Sequence, residues 1–224
     1  MKDLRKNFLH YSKKTAAQLH ENVPPGWYFH SIAENAFQRY WHKRRFAEVG
    51  KLIEPVKGKV LDIGCSDGVF SKVILDKSKA KQLVGIDVLV VSVNWAKKHW
   101  HKNKKMRFLV ADAHKLSFKA NTFDAVFIME VLEHVYNPEK VMREARRVLK
   151  KRGYAVFLVP SDNLLFRITW FLWGFYRGRI WNNTHIQTYR NNYLPKMAKK
   201  AGYKIEEDKK FILGMLHVIK VRKQ

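Results

Sequence analysis

Four acidic residues in the middle of the chain end or closely follow short apolar runs. Asp62 lies within VLDIG, Asp87 ends LVGID, Asp112 follows FLVA and Glu130 follows FDAVFIM. In an open α/β sheet, ligands bind outside the carboxyl ends of the strands. If the apolar runs are neighbouring strands, these four carboxyl groups therefore meet around one ligand.

The loop after the first run restricts which ligand that is. Gly64 and Gly68 allow a tight turn and a close approach of the backbone to a ligand. The loop lacks the Gly-Lys-Ser/Thr ending of a P-loop, and its glycines stand four apart rather than in the G-x-G-x-x-G pattern. Asp62 and Asp67 would repel a pyrophosphate, whereas they would attract a cation.

The next two acidic positions suit a nucleoside. Asp87 comes 23 residues after Gly64, where an acidic side chain can accept both ribose hydroxyls. Asp112 is placed to accept the adenine amino group. A nucleoside with positive charge and no phosphate fits this set, which points to S-adenosylmethionine. The predicted cofactor contacts lie at the strand ends or in the turns after them: Asp62, Gly64, Cys65, Ser66, Gly68, Asp87, Val88, Asp112, Ala113 and Met129.

The elements that position these residues alternate between strand and helix. Predicted strands are 60–64, 83–87, 106–111, 123–129 and 154–159, and predicted helices are 69–75, 90–101, 138–150 (ended by Gly153) and 194–201. This alternation predicts an α/β fold with a parallel sheet covered by helices on both faces. Segments 204–210 and 215–221 predict an antiparallel hairpin at the sheet edge.

The chain is predicted to form one α/β domain, 58–224, preceded by a helical extension. The extension covers 1–57 and is broken at Pro24-Pro25-Gly26. The insertion at 162–190, between the fifth strand and the last helix, is predicted to act as a substrate lid.

Between 59 and 159 the chain resembles the class I S-adenosylmethionine-dependent methyltransferases of the type 11 kind. VLDIGCSDGVFS resembles the first motif of the family, GIDV its ribose-binding strand end, and ADAHKLSF its adenine-contacting loop. FDAVFIMEVLEHVYNP is similar to the fourth motif and LKKRGYAVFLVP to the fifth strand. The resemblance implies a Rossmann-like, seven-stranded sheet with an antiparallel last strand. Ser66 replaces a common glycine of the first motif, which we expect to be tolerated if its φ is negative.

The segment Glu130-Val131-Leu132-Glu133-His134 holds the predicted catalytic groups. On a helix, Glu130, Glu133 and His134 would share one face and hold a divalent metal such as Mg²⁺. Alternatively, His134 acts as a general base, or the segment only packs beneath the cofactor. His185, in the loop after the fifth strand, is a further catalytic candidate that would converge on the same site.

Two subfamilies combine such a glutamate–histidine cluster with a later histidine. Thr184-His185 resembles part of a Gly-Thr-His stretch in quinone-biosynthesis O-methyltransferases, and small-RNA 3′-terminal 2′-O-methyltransferases use two glutamates and two histidines.

The chain lacks the Asn/Asp-Pro-Pro-Tyr/Phe loop of amino-group base methylation, and Cys65 belongs to the cofactor loop rather than serving as a nucleophile. We predict methyl transfer to oxygen of a small or lipid-like acceptor, with Tyr28, Tyr40 and Trp41 as wall residues. RNA 2′-O-methylation is the alternative.

Charge and composition bear on partners and location. The 224 residues include 44 Lys+Arg and 19 Asp+Glu, a net charge of +25 that attracts anionic lipid or RNA. Segment 164–181 is rich in tryptophan and arginine and lacks acidic residues. This composition suits a helix in the lipid headgroup region, but also packing on the N-terminal helices or stacking on bases. With one cysteine and no signal or membrane-spanning segment expected, we predict a cytoplasmic protein with peripheral contact at the inner membrane face.

Overall fold

The computed structural model describes residues 18, 20, 22–175, 184–189 and 192–224. The strands are β1 (Lys59–Ile63), β2 (Gln82–Asp87), β3 (Met106–Val110), β4 (Phe123–Met129), β5 (Leu149–Pro160), β6 (Tyr203–Phe211) and β7 (Leu216–Lys223). The helices are α1 (Trp27–Glu34), α2 (Ala36–Gly50), α3 (Val69–Ser78), α4 (Val90–His99), α5 (Pro138–Val148), α6 (Leu164–Gly174) and α7 (Tyr193–Lys200), with a 3₁₀ turn at Leu132–His134.

The seven strands form one sheet in the order β3-β2-β1-β4-β5-β7-β6. Strands β1 to β5 pair in parallel, whereas β7 runs antiparallel to both β5 and β6. This topology confirms the predicted Rossmann-like α/β fold and its antiparallel C-terminal hairpin.

Side-chain alternation in the strands explains why both faces of the sheet are covered. In β4, Val126 and Ile128 belong to one buried cluster, whereas Ala125 and Phe127 belong to the other. Successive side chains of a strand point to opposite faces, so a continuous apolar run needs helices on both sides. The core is therefore two layers, one on each face of the sheet.

The predicted end of the helix at 138–150 is wrong. Helix α5 ends at Val148, and β5 begins at the next residue because Leu149 pairs with Phe123 of β4 and is fully buried. Gly153 lies inside β5, where a Cβ would be 2.8 Å from the carbonyl oxygen of Asp124. The glycine thus permits a close backbone approach within the sheet rather than ending the helix.

The N-terminal helices are attached to the sheet at defined points. Gly26, with φ 74°, precedes α1, and a Cβ there would lie 2.6 Å from the Trp95 ring. After α2, the main-chain NH of Glu54 donates to the Tyr154 hydroxyl at 3.0 Å, and the Glu54 carboxylate pairs with Arg222 at 2.9 Å. Helix α1 begins directly after the predicted break at Pro24-Pro25-Gly26. The earlier part of the predicted extension, 1–17, lies outside the described residues.

In the part of the chain that the structure describes, we find no helix with the length and apolar character needed to cross a bilayer.

Candidate active site

A cavity of about 310 Å³ lies at the carboxyl ends of β1, β2 and β4, and we refer to it as the acidic cavity. Asp62, Asp67, Asp87, Asp112 and Glu130 all line it. The other predicted cofactor residues that line it are Gly64, Cys65, Ser66, Val88, Ala113 and Met129. The predicted contact residue Gly68 is not in the lining. It directly precedes α3, with φ 78°, and shapes the turn from outside the cavity.

The turn between β1 and α3 is built from left-handed residues. Gly64 has φ 77°, and a Cβ there would lie 2.1 Å from Cγ2 of Val131, so only glycine fits. Ser66 has φ 45°, which contradicts the negative φ expected from the sequence. The family's usual glycine suits this position for a physical reason, since a left-handed conformation costs an L-residue energy.

Main-chain and hydroxyl donors hold the acidic side chains in place. The two Asp87 oxygens accept from the NH groups of Ser66 and Leu89, each at 2.9 Å. Asp62 accepts from the Ser71 hydroxyl at 2.6 Å. Burial raises the pKa of Asp87, and it raises the pKa of Asp62 to about 7. Buried carboxyl groups of this kind are stabilised by a positively charged ligand.

Asp67 connects the cofactor turn to the N-terminal helices. Its Oδ2 accepts from the NH of Phe29 in α1 at 2.9 Å, and its Oδ1 accepts from the NH of Val69 in α3 at 3.2 Å. The acidic cavity is therefore closed on one side by a segment outside the sheet.

Asp112 lies at the more open end of the acidic cavity. Its Oδ1 accepts from the His114 main-chain NH at 2.8 Å and lies 2.7 Å from the His114 Nδ1. The His114 ring stacks on Tyr136 with ring centroids 3.9 Å apart, and both rings line the cavity. The geometry offers an aromatic surface beside the carboxylate predicted to contact adenine.

A second cavity, of about 100 Å³, adjoins the first, and we refer to it as the aromatic chamber. Four tryptophans line it: Trp27 of α1, Trp41 of α2, and Trp170 and Trp173 of α6. Four residues line both cavities: Tyr28, Arg45, Glu130 and His134.

Two of the three predicted wall residues, Tyr28 and Trp41, line the aromatic chamber. The third, Tyr40, is 62% exposed and does not line it, because it lies on the solvent side of α2.

The Glu130–His134 segment is not the α-helix on which the predicted metal set was based. Glu130 has φ 55°, and the helical turn that follows contains only Leu132–His134. Glu130 consequently turns toward α2 and forms a partly buried ion pair with Arg45. The three residues predicted together therefore do not share a helix face.

His185 instead joins Glu133 and His134. The potential ligand atoms of these three residues all lie within 4.8 Å of one another. The His134 Nδ1 is 2.9 Å from the carbonyl oxygen of Thr184, and the Glu133 Oε2 is buried without a hydrogen-bond partner. Burial raises the pKa of Glu133 and lowers the pKa of His185 to about 4. A buried carboxyl beside two imidazoles is a donor set that a cation can use.

The N-terminal helix α2 supplies functional residues that sequence reasoning missed. Arg45 is 6% exposed and lies between the two cavities, and the His42 ring lines the aromatic chamber. The sequence did offer a signal, because His42 and Arg45 lie three positions apart in a predicted helical region and such residues share a face. His20, which also lines the acidic cavity, lies 4.4 Å from the His134 ring and was likewise missed.

Comparison with known proteins agrees with the fold. Residues 61–157 match a methyltransferase-domain family. The chain is 26% identical to a demethylmenaquinone methyltransferase of Thermotoga maritima over 87% of this chain and 90% of that one. It is 36% identical to a ubiquinone biosynthesis O-methyltransferase of Pelagibacter ubique, but over only 45% of this chain and 41% of that one.

Solved structures share the architecture at low sequence identity. The [4+2]-cyclase SpnF superposes with a TM-score of 0.74 at 17% identity, covering 93% of this chain and 96% of that one. An S-adenosylmethionine-dependent methyltransferase from Aquifex aeolicus superposes with a TM-score of 0.63 at 16% identity, covering 95% and 100%. Residues 61–157 thus carry the match to a methyltransferase domain, on a fold that the solved methyltransferase structures share. Together these comparisons indicate an S-adenosylmethionine-dependent methyltransferase.

Replacement of Ser66 tests the strain in the cofactor turn. We expect Ser66→Gly to raise the free energy of unfolding by about 0.5–1 kcal/mol, because removal of the left-handed penalty exceeds the added chain entropy of glycine. Urea unfolding of the ligand-free protein measures this change. Ser66→Ala retains the Cβ and serves as the control, for which no gain is expected. Equal stability changes in the two variants would contradict the interpretation.

Proposed function

We propose that the enzyme transfers a methyl group from S-adenosylmethionine to a hydroxyl oxygen of a small or lipid-like acceptor held in the aromatic chamber. The observation that carries this proposal is the junction of the two cavities, whose shared walls are Tyr28, Arg45, Glu130 and His134. A cofactor in one cavity and an acceptor in the other would meet at these residues. The enclosed volume of about 100 Å³ favours a small ring or chain over an RNA strand.

The acidic cavity fits the cofactor in charge and in shape. Asp62, Asp67 and Asp87 are buried carboxyl groups beside a glycine turn that a side chain at Gly64 would fill. Each Asp87 oxygen uses one lone pair on a main-chain NH, which leaves further lone pairs for ribose hydroxyls. When bound, S-adenosylmethionine supplies an electrophilic methyl group on a positively charged sulfur.

His134 is positioned to accept the acceptor's proton. Its Nδ1 lies 2.9 Å from the Thr184 carbonyl oxygen, which can only accept, so the Nδ1 carries the hydrogen. The Nε2 is then the ring nitrogen without a hydrogen, and a general base accepts its proton at such an atom. Glu130, which is held by Arg45, contributes negative charge at the cavity junction. In this role His134 itself accepts the proton, and the His185 ring packs beside it with the two ring centroids 4.9 Å apart.

A divalent cation on Glu133, His134 and His185 is the competing way to activate the same hydroxyl. The Thr184 carbonyl at the His134 Nδ1 would orient this ring for coordination through the Nε2. Two imidazoles favour a transition metal such as Zn²⁺ over the Mg²⁺ predicted from the sequence. A bound cation would supply Lewis acidity to the acceptor oxygen.

Helix α6 supports a lipid-like acceptor and membrane contact. Its Trp170 and Trp173 line the chamber. Its opposite face is exposed and apolar: Leu164, Ile168, Phe171 and Leu172, followed by Phe175. Together with the net charge of +25, this face suits an anionic lipid surface. Segment 176–183, the rest of the predicted lid helix, lies outside the described residues.

Replacement of Asp87 tests the cofactor site. We expect Asp87→Ala to weaken binding of S-adenosylhomocysteine by at least about 100-fold, because the two hydrogen bonds from the ribose hydroxyls to the Asp87 carboxylate are lost. Asp76→Ala removes an exposed carboxylate that pairs only with Lys72 and is the matched control. Isothermal titration calorimetry gives the affinities, and radiolabelled methyl transfer to lipid, RNA and small-molecule fractions identifies the acceptor class. Unchanged binding in Asp87→Ala would refute the cofactor placement.

Metal titration distinguishes activation of the acceptor hydroxyl by His134 from activation by a bound cation. If the cation site forms, saturating Zn²⁺ raises the Tm of the wild type by about 5–10 °C but leaves the Tm of His185→Ala unchanged. His101→Ala, which changes an exposed histidine, should keep the wild-type response. Scanning calorimetry provides the measurement. An equal shift in wild type and His185→Ala would exclude the cation site and leave His134 as the base.

Vesicle co-sedimentation tests the membrane face. We expect binding to phosphatidylglycerol-containing vesicles, and Phe171→Glu should weaken it about tenfold or more because it places a charge in the exposed apolar face that would enter the lipid. Val91→Glu, an equally drastic change at an exposed position of α4, should have little effect. Loss of binding in both variants, or in neither, would contradict contact through α6. RNA binding with a steep salt dependence and no vesicle binding would favour the RNA alternative.

A further inference from the structure

Unpaired polar atoms are concentrated around the aromatic chamber. Among the described residues, five buried side-chain nitrogen or oxygen atoms have no hydrogen-bond partner. Four of them belong to chamber-lining residues: both ring nitrogens of His42, the Nε of Arg45 and the Oε2 of Glu133. Buried polar groups are normally paired, so a cluster of unpaired ones in one cavity indicates partners supplied by a ligand.

His42 differs most from an ordinary buried histidine. It is 3% exposed, and its neighbours on either side are the rings of Tyr28 and Phe46, at 5.4 and 6.0 Å between centroids. Burial and the nearby Arg45 guanidinium lower the pKa of His42 to about 2. The ring is therefore neutral and offers one donor and one acceptor.

We propose that His42 is a specificity-determining residue that binds a hydroxyl group of the acceptor inside the aromatic chamber. This inference rests on the proposed function and adds to it the residue that recognises the acceptor. A hydroxyl can donate to the bare ring nitrogen or accept from the ring NH, whereas an apolar ring can do neither. His42 thus selects hydroxylated rings or chains over apolar ones of the same size.

His217 provides a matched control for a buried histidine. It is fully buried in β7 and its Nδ1 is the fifth unpaired atom among the described residues, but its Nε2 pairs with Asp208 at 2.7 Å and it lines neither cavity. Replacement of His217 by leucine removes a satisfied interaction, whereas replacement of His42 by leucine removes an unsatisfied one. We expect His42→Leu to raise the Tm of the ligand-free protein by a few degrees and His217→Leu to lower it. A Tm loss of the same size in both variants would show that His42 is structural and would overturn the proposal.

Ligand preference completes the test. With S-adenosylhomocysteine present, catechol and toluene are titrated while the fluorescence of the chamber tryptophans is recorded. Wild type and His217→Leu should bind catechol about tenfold more tightly than toluene, and in His42→Leu the ratio should fall to about one, as expected for the loss of one hydrogen bond. A second variant, His42→Gln, retains a donor and an acceptor and should recover part of the preference.

The outcomes separate this inference from the function on which it rests. If wild type binds both rings but the catechol preference survives in His42→Leu, the role of His42 is refuted and the chamber remains the acceptor site. If wild type binds S-adenosylhomocysteine but neither ring, the chamber is not an acceptor site for rings, and both the acceptor proposal and the role of His42 fall. If S-adenosylhomocysteine itself does not bind, the proposed methyl transfer is refuted.

Discussion

The ion pair between Arg45 and Glu130 connects the two parts of this molecule that make the site. Arg45 belongs to α2 in the N-terminal region, and Glu130 follows β4 at the sheet edge. The Arg45 side chain is buried and that of Glu130 is partly exposed, so loss of Glu130 would leave a buried guanidinium without its carboxylate, which is destabilising. Because both residues line both cavities, the pair fixes the helices over the sheet and also forms the boundary where cofactor and acceptor would meet.

The charges of the protein are segregated in a way that separates two kinds of recognition. The chain as a whole carries +25, yet the cavity at the sheet edge is lined by carboxyl groups whose pKa values burial raises. A phosphate-rich ligand would be attracted to the surface and repelled by Asp62, Asp67 and Asp87 inside. An acidic interior of this kind favours a cationic ligand over a phosphate-rich one, which agrees with the cofactor proposed for this cavity.

The sheet and its cofactor edge were predictable because they depend on local patterns. The apolar runs, the glycine turn and the acidic strand ends are read directly along the chain, and Gly64 needs its left-handed φ. The acceptor side was less predictable. Glu130 and Glu133 were placed on a common helix face, but the left-handed φ of Glu130 turns it toward Arg45, a partner 85 residues away. No spacing rule within one segment encodes such a contact, since tertiary packing decides it.

The division between the sheet edge, which was predictable, and the acceptor side, which was not, also explains how one fold supports different chemistries. SpnF shares this architecture but is described as a [4+2]-cyclase, so the sheet alone does not determine the reaction. In the present chain, the walls of the second cavity come mostly from α1, α2 and α6, and the sheet edge contributes the smaller part. Helix α6 places Trp170 in the chamber while the adjacent Phe171 is 63% exposed. Helix α6 is thus apolar both where it lines the chamber and on much of its outer surface.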